Sequence, residues 1–524
     1  MKRSLLGLFS IILPLGLLFV GTNRANARDD DDGRGREHHD MKRVGTNDLQ
    51  ARSSYQPTVH RYSNNRWILF VGHHALGTNS VTGQQLPSFN RITGKNEPNG
   101  TSILDVSDPR RPKFLVHIPV GTPVTPPATP TNGGAQFVRV CDGSALPIRD
   151  NKVYMLRGFA NSAHEVWDVT DPSKPLPVRT VSGNNPVIAN LTGTHKNWWE
   201  CDTGIAYIVG RRSADTAAGW RPGNHIMIFN LADPANPVFI RDWALDGQQP
   251  GSVIPFPFNQ QAPPAVPSIH GPISTGPAGG PISLTGATGN RVYFAYGTES
   301  NGAMQIVDRS LLLSTPANDF TTAEVGRWVM SPNWGGHTSF PIGKISIPDW
   351  EPNEADKVRD FVVVVSEETN HECTEGRHLT FMVDATTEAR PHPTANFQVP
   401  ESEGNFCSKG GRFGPHATNE EFGPPFYQKI VFVSYFNAGV RAVDVRDPNN
   451  PQEVAFFIPK ATSNTDFRCK DNNIAATCKI VVQTNNVATD DRGYVYIVDR
   501  ANTGLHVLRL TGDAAKIAGF RDDD

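Results

Sequence analysis

The chain has 524 residues, with 49 Lys and Arg against 52 Asp and Glu, and a formal net charge of −3. This balance excludes the basic surface that nucleic-acid binding requires. The chain contains 47 Gly and 42 Pro, a share above the usual one, which favours strands and loops over helices.

The first 27 residues have the three parts of a secretory signal. Two basic residues precede an apolar stretch over residues 5–20, and Ala25-Asn26-Ala27 offers a cleavage site after Ala27. The apolar stretch is shorter than the roughly 20 residues that span a bilayer. We therefore expect an exported protein, periplasmic, secreted or at the cell surface, with no transmembrane segment after signal cleavage. The charged segment 28–52 has little apolar surface to bury and is expected to be a disordered tail.

One cassette recurs along the rest of the chain, an alternating apolar run that ends in Asp-Pro-x-x-Pro. Its clear copies are SILDVSDPRRP from Ser102, VWDVTDPSKP from Val166, IFNLADPANP from Ile228 and AVDVRDPNNP from Ala442. Proline ends a strand because it lacks the N–H group, and the aspartate can cap the turn that follows. Weaker copies keep the strand and lose the turn, around Asp308, Asp384 and Arg509.

The repeated units predict the architecture. Most cassettes follow a second apolar strand, such as RVYFAYGTE or YVYIVDR, so each unit contains several short strands joined by turns. Such self-similarity is typical of repeat folds. We predict an all-β protein with one β-propeller over residues 53–515, of seven blades with four antiparallel strands each, followed by a C-terminal tail over residues 516–524.

The six cysteines suit an oxidising compartment, where an even number usually forms disulfides. Six cysteines allow 15 pairings, and we expect Cys469 to pair with Cys478. Cys373 lies in a segment rich in metal-ligand types, HECTEGRH, and a disulfide is the favoured interpretation there over a metal site.

The C-terminal run NNVATDDRGYVYIVDRANTGLHVLRLTG, residues 485–512, together with the Asp-Pro cassettes, resembles the LVIVD-repeat family of exported β-propeller proteins. The resemblance extends over about residues 55–512. It implies four-stranded blades around a central channel and supplies no agreed biochemical activity, so function must be argued from the site.

Histidines stand at or just before most predicted innermost strands: His60, His195, His270, His337 and His416. The other two blades offer Gln136 and Asn486. Innermost strands begin on one face, so these imidazoles are expected to converge on the channel mouth, in an arrangement that suits Cu, Fe or Zn. The best candidates for binding one transition metal ion are His195, His270, His337 and His416. Carotenoid-cleaving oxygenases, which hold iron with four histidines on a propeller, offer an analogy of fold alone.

The alternative is that these histidines only satisfy buried polar groups of the channel. The same face is expected to collect charged residues from the ends of the second strands: Arg211, Arg212, Glu299, Glu367, Glu368 and Arg500. Mixed charge at a channel mouth suits a polar or anionic ligand, although charges at strand ends are often simply solvated.

Two functions follow from these patterns. The first is an exported propeller scaffold that binds a protein, a glycan or a small ligand through the loops at the channel mouth. The second is a metal-dependent oxidoreductase that uses the histidine ring, with a charged residue such as Glu299 beside the metal. No GxSxG, HExxH, phosphate-binding or dinucleotide-binding motif is present in the sequence.

Overall fold

The computed structural model describes residues 37–74, 77–78, 85–86, 88–120, 134–181, 184–185, 188–189, 191–252, 268–297, 302–331, 334–347, 357–469 and 477–521. Seven main sheets of antiparallel strands form a β-propeller, which confirms the predicted fold class. The predicted signal peptide and Glu299 lie outside the described residues.

The first three blades follow one another along the chain, and each is given from its innermost to its outermost strand. Blade 1 consists of Ser54–Arg61, Trp67–His73, Gly100–Asp105 and Lys113–Pro119. Blade 2 consists of Val138–Asp142, Val153–Phe159, Ala163–Asp168 and Leu176–Thr180. Blade 3 consists of Asn197–Trp199, Ile205–Arg212, His225–Asn230 and Val238–Trp243, with Leu191–Thr192 also paired to its second strand.

The next two blades repeat this order, and the last two take their outermost strands from the N-terminal segment. Blade 4 consists of Ile269–Ser274, Arg291–Tyr296, Ala303–Asp308 and Glu324–Val329. Blade 5 consists of Gly336–Ser346, Val358–Ser366, Thr380–Asp384 and His392–Phe397. Blade 6 consists of Ile430–Ser434, Val440–Asp444, Gln452–Ile458 and Glu37–His39. Blade 7 consists of Thr484–Thr489, Tyr494–Asp499, Leu505–Leu510 and Met41–Asn47.

Short pairs of strands lie within the connections between blade strands. They are Gly77–Thr78 with Gln85–Leu86, Ser88–Asn90 with Lys95–Glu97, Asn184–Asn185 with Ile188–Ala189, and Phe467–Cys469 with Cys478–Ile480. In blade 6, the segment before the first named strand lies on the channel side, where Thr418 forms a bridge with Val433.

The N-terminal segment closes the ring. Met41–Asn47 pairs with Leu505–Leu510, and Glu37–His39 pairs with the third strand of blade 6. The prediction of a disordered tail over residues 28–52 is therefore wrong from residue 37 onward. The physical reason is that these strands cover sheet edges that would otherwise present unpaired backbone groups, and that Met41, although flanked by charged residues, is fully buried.

The predicted turns have the expected geometry. Six strands end at an Asp or Asn residue that directly precedes the turn, namely the third strands of blades 1 to 5 and the second named strand of blade 6. These residues are Asp105, Asp168, Asn230, Asp308, Asp384 and Asp444. In the Asp-Pro copies this side chain accepts a hydrogen bond from the backbone N–H two residues on, as from Ser107 to Asp105 at 2.9 Å. Asp308, which lacks the Asp-Pro turn, instead caps a short helix by accepting from Leu311 N at 2.9 Å.

The helices are few and short. They are the α-helices Arg309–Ser314, Phe406–Lys409 and Gly512–Ala518, and the 3₁₀ turns Leu49–Ala51, Ser283–Thr285 and Glu401–Glu403. The predicted C-terminal tail over 516–524 is structured through the end of the last helix, because Ala514, Ala515 and Ala518 are buried against blades 6 and 7. Among the described residues, no helix has the length and apolar character needed to cross a membrane.

Three disulfides join the six cysteines: Cys141–Cys201, Cys373–Cys407 and Cys469–Cys478. The predicted pair Cys469–Cys478 is confirmed, as is a disulfide at Cys373. These bonds fit an oxidising compartment.

Candidate metal centre

The innermost strands begin with a bulge that turns one side chain out of the sheet register. In blades 4 and 5 the pairing skips His270 and His337, and in blade 7 it skips Asn485. In blade 1 it skips Tyr55 together with the following residue. A bulge leaves its extra residue unpaired and changes the direction of the side chain. The same local irregularity in four blades therefore aims their side chains at a common place.

The four preferred histidines converge on the hydroxyl of Tyr55. The Tyr55 oxygen lies 3.2 Å from His195 Nε2 and 3.4 Å from the Nε2 atoms of His270, His337 and His416. The Nε2 atoms of His195 and His270 are 2.9 Å apart. The rings of His270 and His337 have their centroids 3.7 Å apart. We call Tyr55 and these four histidines the histidine cluster.

The outer nitrogens of the cluster have their own partners. His416 Nδ1 bonds to the backbone oxygen of Asn485 at 2.6 Å, and His270 Nδ1 bonds to the backbone oxygen of His337 at 3.1 Å. His337 Nδ1 lies 2.8 Å from the Thr338 hydroxyl, and His195 Nδ1 contacts the side-chain oxygen of Gln136. Backbone oxygens only accept, so at least His270 and His416 carry their proton on Nδ1.

This tautomer leaves the Nε2 lone pairs pointing inward. One phenol O–H can donate to a single acceptor at a time, so it cannot satisfy several lone pairs around it. His337 and His416 are fully buried and His270 is nearly so. Burial lowers the pKa of His195 to about 3 and lowers the pKa of the other three histidines well below the ordinary value. Neutral imidazoles with converging lone pairs are a cation-binding arrangement.

A buried ion-pair layer lies one residue further along the channel. Glu420 accepts from both Lys196 and Arg139, and all three side chains are largely buried. The aliphatic part of Lys196 passes 2.3 Å from the position that a Cβ on Gly271 would take, so a larger residue there would displace the lysine side chain. Because Glu420 balances the nearest cation, the positive charge of Lys196 does not stand alone beside the cluster.

A cavity of about 440 Å³ opens over the other side of the cluster. Its floor includes Tyr55, His195 and His270, and its wall includes Glu367, Arg412 and Arg500. Glu367 Oε1 lies 2.9 Å from Arg412 Nη1 and 3.5 Å from His416 Nε2. One ligand-type atom each from His270, His337 and Glu367 lies within 4.8 Å of the others. The cluster is thus reachable from a pocket with charged walls.

The predicted charges at the channel mouth divide into two groups. Arg500 and Glu367 line the cavity, as expected for the ends of second strands. Arg212 instead pairs with Asp242 at 3.0 Å, outside the lining of this cavity, and Arg211 does not line it either. Glu368 is buried behind Glu367 and, with Glu375 and His378, forms a second group whose ligand-type atoms lie within 4.8 Å of one another.

The structure places some predicted residues elsewhere. His60 bonds to Asp142 at 3.0 Å and is absent from both the cluster and the cavity lining. It lies near the far end of its strand, and Tyr55 takes the place expected for a histidine of blade 1. Gln136, the residue predicted for blade 2, contacts His195. In blade 7 the bulge contains Asn485, the residue before the predicted Asn486.

A sequence signal for Tyr55 exists. The segment Tyr55-Gln56-Pro57 matches His270-Gly271-Pro272, with an aromatic ring two residues before a proline. Alignment on that proline identifies Tyr55, whereas a search for histidine alone selects His60.

No protein-family model and no curated protein matches the sequence, so the resemblance to the LVIVD-repeat family stays a prediction. Among solved structures, the chain is similar to the Dos1 propeller, with a TM-score of 0.41 and 10% identity over 90% of this chain and 96% of that one. It is also similar to Sqt1 from Chaetomium thermophilum, with a TM-score of 0.45 and 9% identity over 90% of this chain and 99% of that one.

Proposed function

We propose that the protein is an exported, metal-dependent oxidoreductase in which His195, His270, His337 and His416 bind one transition metal ion. The observation that carries the proposal is the convergence of their four Nε2 atoms on one point, marked by the Tyr55 hydroxyl at 3.2 to 3.4 Å. A purely structural role would have left each Nε2 with a hydrogen-bond donor of its own. Export is part of the proposal, and the three disulfides support it.

The donor set narrows the class of metal. Neutral imidazole nitrogen suits Zn, Cu and Fe. A zinc site with four protein ligands has no free coordination position and is usually structural, whereas a catalytic metal site needs a free coordination position for water or substrate. The cavity reaches the cluster beside His195 and His270. A metal that accepts more than four ligands, Fe or Cu, would keep a position for substrate on that side, and both metals supply redox chemistry.

The protein groups around the cluster have definite roles in this proposal. Burial raises the pKa of Tyr55 well above its usual value, so the phenol is protonated at neutral pH and is a hydrogen-bond donor. The acceptors for Nδ1 hold the rings of His195, His270 and His416 in place. The Glu367 carboxylate lies 3.5 Å from His416 Nε2, and its pairing with Arg412 keeps it oriented there.

Electron paramagnetic resonance of the Cu(II)-loaded full chain tests the proposal. We expect one copper per chain with a spectrum of several equivalent nitrogen ligands, and reversible loss of the signal on reduction followed by reoxidation in air. His337→Ala removes a buried ligand and should change the nitrogen pattern, while His60→Ala is the matched control outside the cluster and should not. Copper bound without nitrogen ligands, or equally by both variants, would favour the scaffold function.

A further inference from the structure

The cavity over the histidine cluster has a volume within the range of small-molecule sites, at about 440 Å³. Its wall carries two carboxylates and two guanidinium groups, from Glu367, Glu375, Arg412 and Arg500. Both guanidinium groups lie over the ring of the fully buried Phe436, at 5.4 Å for Arg412 and 5.8 Å for Arg500. Both guanidinium groups therefore contact the same buried aromatic ring.

Three of these four charged groups are already engaged. The Glu375 carboxylate accepts from Asn370 N at 2.7 Å and from Asn370 Nδ2 at 3.1 Å, besides its contacts with Thr369. Glu367 and Arg412 bond to each other at 2.9 Å. These hydrogen bonds orient both carboxylates at the cavity wall, where Glu367 also attracts the guanidinium group of Arg500 electrostatically.

Arg500 is the exception. Its Nη1 is buried and has no hydrogen-bond partner among the described residues. Burial, and then the neighbouring Arg412, lower the pKa of Arg500 to about 9. Leaving a buried donor unsatisfied costs about 1 to 3 kcal/mol, and a bound anion would remove that cost.

The surroundings favour a single negative charge. A guanidinium group matches the planar geometry of a carboxylate through paired N–H donors. The Nη1 atom of Arg500 lacks a hydrogen-bond partner among the described residues, and the nearby Glu367 and Glu375 would repel a second negative charge on the ligand. A dianion such as phosphate is therefore a poorer fit than a monocarboxylate.

We propose that this cavity binds a small organic monocarboxylate through Arg500, with the rest of the molecule over His195 and His270. The inference names the substrate class of the proposed enzyme and in that sense rests on the proposed function. The unpartnered Nη1 and the cavity are nevertheless features of the protein itself, so the carboxylate should bind with or without metal.

Isothermal titration calorimetry of the full chain with benzoate tests this inference, in metal-free and zinc-loaded protein. We expect benzoate to bind wild type and the exposed-arginine control Arg390→Gln equally, and Arg500→Gln at least tenfold more weakly. Neutral benzamide and inorganic phosphate should bind much more weakly than benzoate. Arg500→Lys keeps the positive charge but lacks the planar pair of N–H donors, so it should bind benzoate severalfold more weakly than wild type. This variant replaces Arg500→Gln in the test if Arg500→Gln does not fold.

The outcomes separate the two proposals. Arg500-dependent benzoate binding in a protein that takes up no metal would contradict the metal centre and support the carboxylate site. Metal binding with equal benzoate affinity in wild type and Arg500 variants would overturn the carboxylate site alone. Tighter binding of phosphate, or no benzoate binding to wild type, would also overturn it.

Discussion

His416 Nδ1 donates a hydrogen bond to the backbone oxygen of Asn485, 2.6 Å away and in the next blade. The carbonyl oxygen has no proton to give, so this contact fixes the tautomer of His416 and turns the Nε2 lone pair toward Tyr55. The contact also joins blade 6 to blade 7 at the channel. This one hydrogen bond to the backbone thus links two blades and also orients the Nε2 atom of His416 as a candidate metal ligand.

Gln136 provides the corresponding contact for His195 with a side chain, so it can be tested by substitution. Gln136→Leu removes the acceptor for His195 Nδ1 and should weaken metal affinity about 10-fold to 100-fold. Gln136→Glu keeps an acceptor oxygen and is the matched control. Competition with a chromogenic chelator measures both affinities, and an unchanged affinity in Gln136→Leu would show that His195 is not a ligand.

Tyr55→Phe should keep the metal stoichiometry, because the four nitrogens remain. In metal-free protein the change removes the O–H donor from the cluster and should lower the free energy of unfolding by about 1 kcal/mol. It should also alter the visible absorption of the Cu(II) form. Tyr154→Phe, which removes a hydroxyl bonded to Asp150 at 2.6 Å in blade 2, should leave that absorption unchanged. Identical Cu(II) spectra for wild type and Tyr55→Phe would place the hydroxyl away from the metal.

The repeats allowed prediction of the blades because a strand ending in Asp-Pro has a local physical cause. Asp108 and Asp171, the aspartates of two Asp-Pro turns, accept hydrogen bonds from backbone N–H groups two residues further on. The positions of His195, His270, His337 and His416 followed from the strand starts. The direction of each side chain could not be predicted from the strand starts, since a bulge such as that at His270 depends on pairing with a second strand distant in sequence.

The sequence did not predict that residues 37–47 close the ring of blades, and the reason is different. The segment EHHDMKRVGTN, residues 37–47, is charged and polar and has no strand-like alternation of apolar residues. Its outer position in blades 6 and 7 leaves most of it accessible, so only Met41 needs to be apolar. Composition therefore predicted disorder, while the unpaired edge of Leu505–Leu510 selected the strand.

Met41 offers a test of this closure. Met41→Ala removes a fully buried side chain that packs with Leu508 and Leu510 and should lower the free energy of unfolding by about 3 kcal/mol. Lys42→Ala changes the neighbouring, exposed residue and should stay within about 0.5 kcal/mol of wild type. Urea denaturation measures both. Equal stability of the two variants would mean that Met41–Asn47 does not close the propeller in solution.

Acid should destabilise the metal-free protein through His164, which is fully buried in blade 2. Burial lowers the pKa of His164 to about 4 from an ordinary value of 6.5. Between these values the unfolded chain binds a proton that the folded chain does not, so stability falls as pH drops from 6.5 to 4, by about 3 kcal/mol from this group.

His164→Gln should therefore reduce the slope of unfolding free energy against pH in that range by the share of this one group, while the other buried histidines, such as His195 and His73, keep their own share. Urea denaturation at several pH values measures the slope. The exposed His392 provides the control, because His392→Gln should leave the slope as in wild type. A wild-type slope in His164→Gln would show that another group takes up the proton.

Metal content of the mature, untagged protein tests the central claim most directly. It is measured by mass spectrometry after purification and after loading with Cu, Fe and Zn, beside a variant with His195, His270, His337 and His416 all changed to Ala. We predict one metal ion per wild-type chain and none in the variant, which should remain folded by circular dichroism. A wild-type protein that takes up none of the three metals, or a folded variant that retains its metal, would contradict the account.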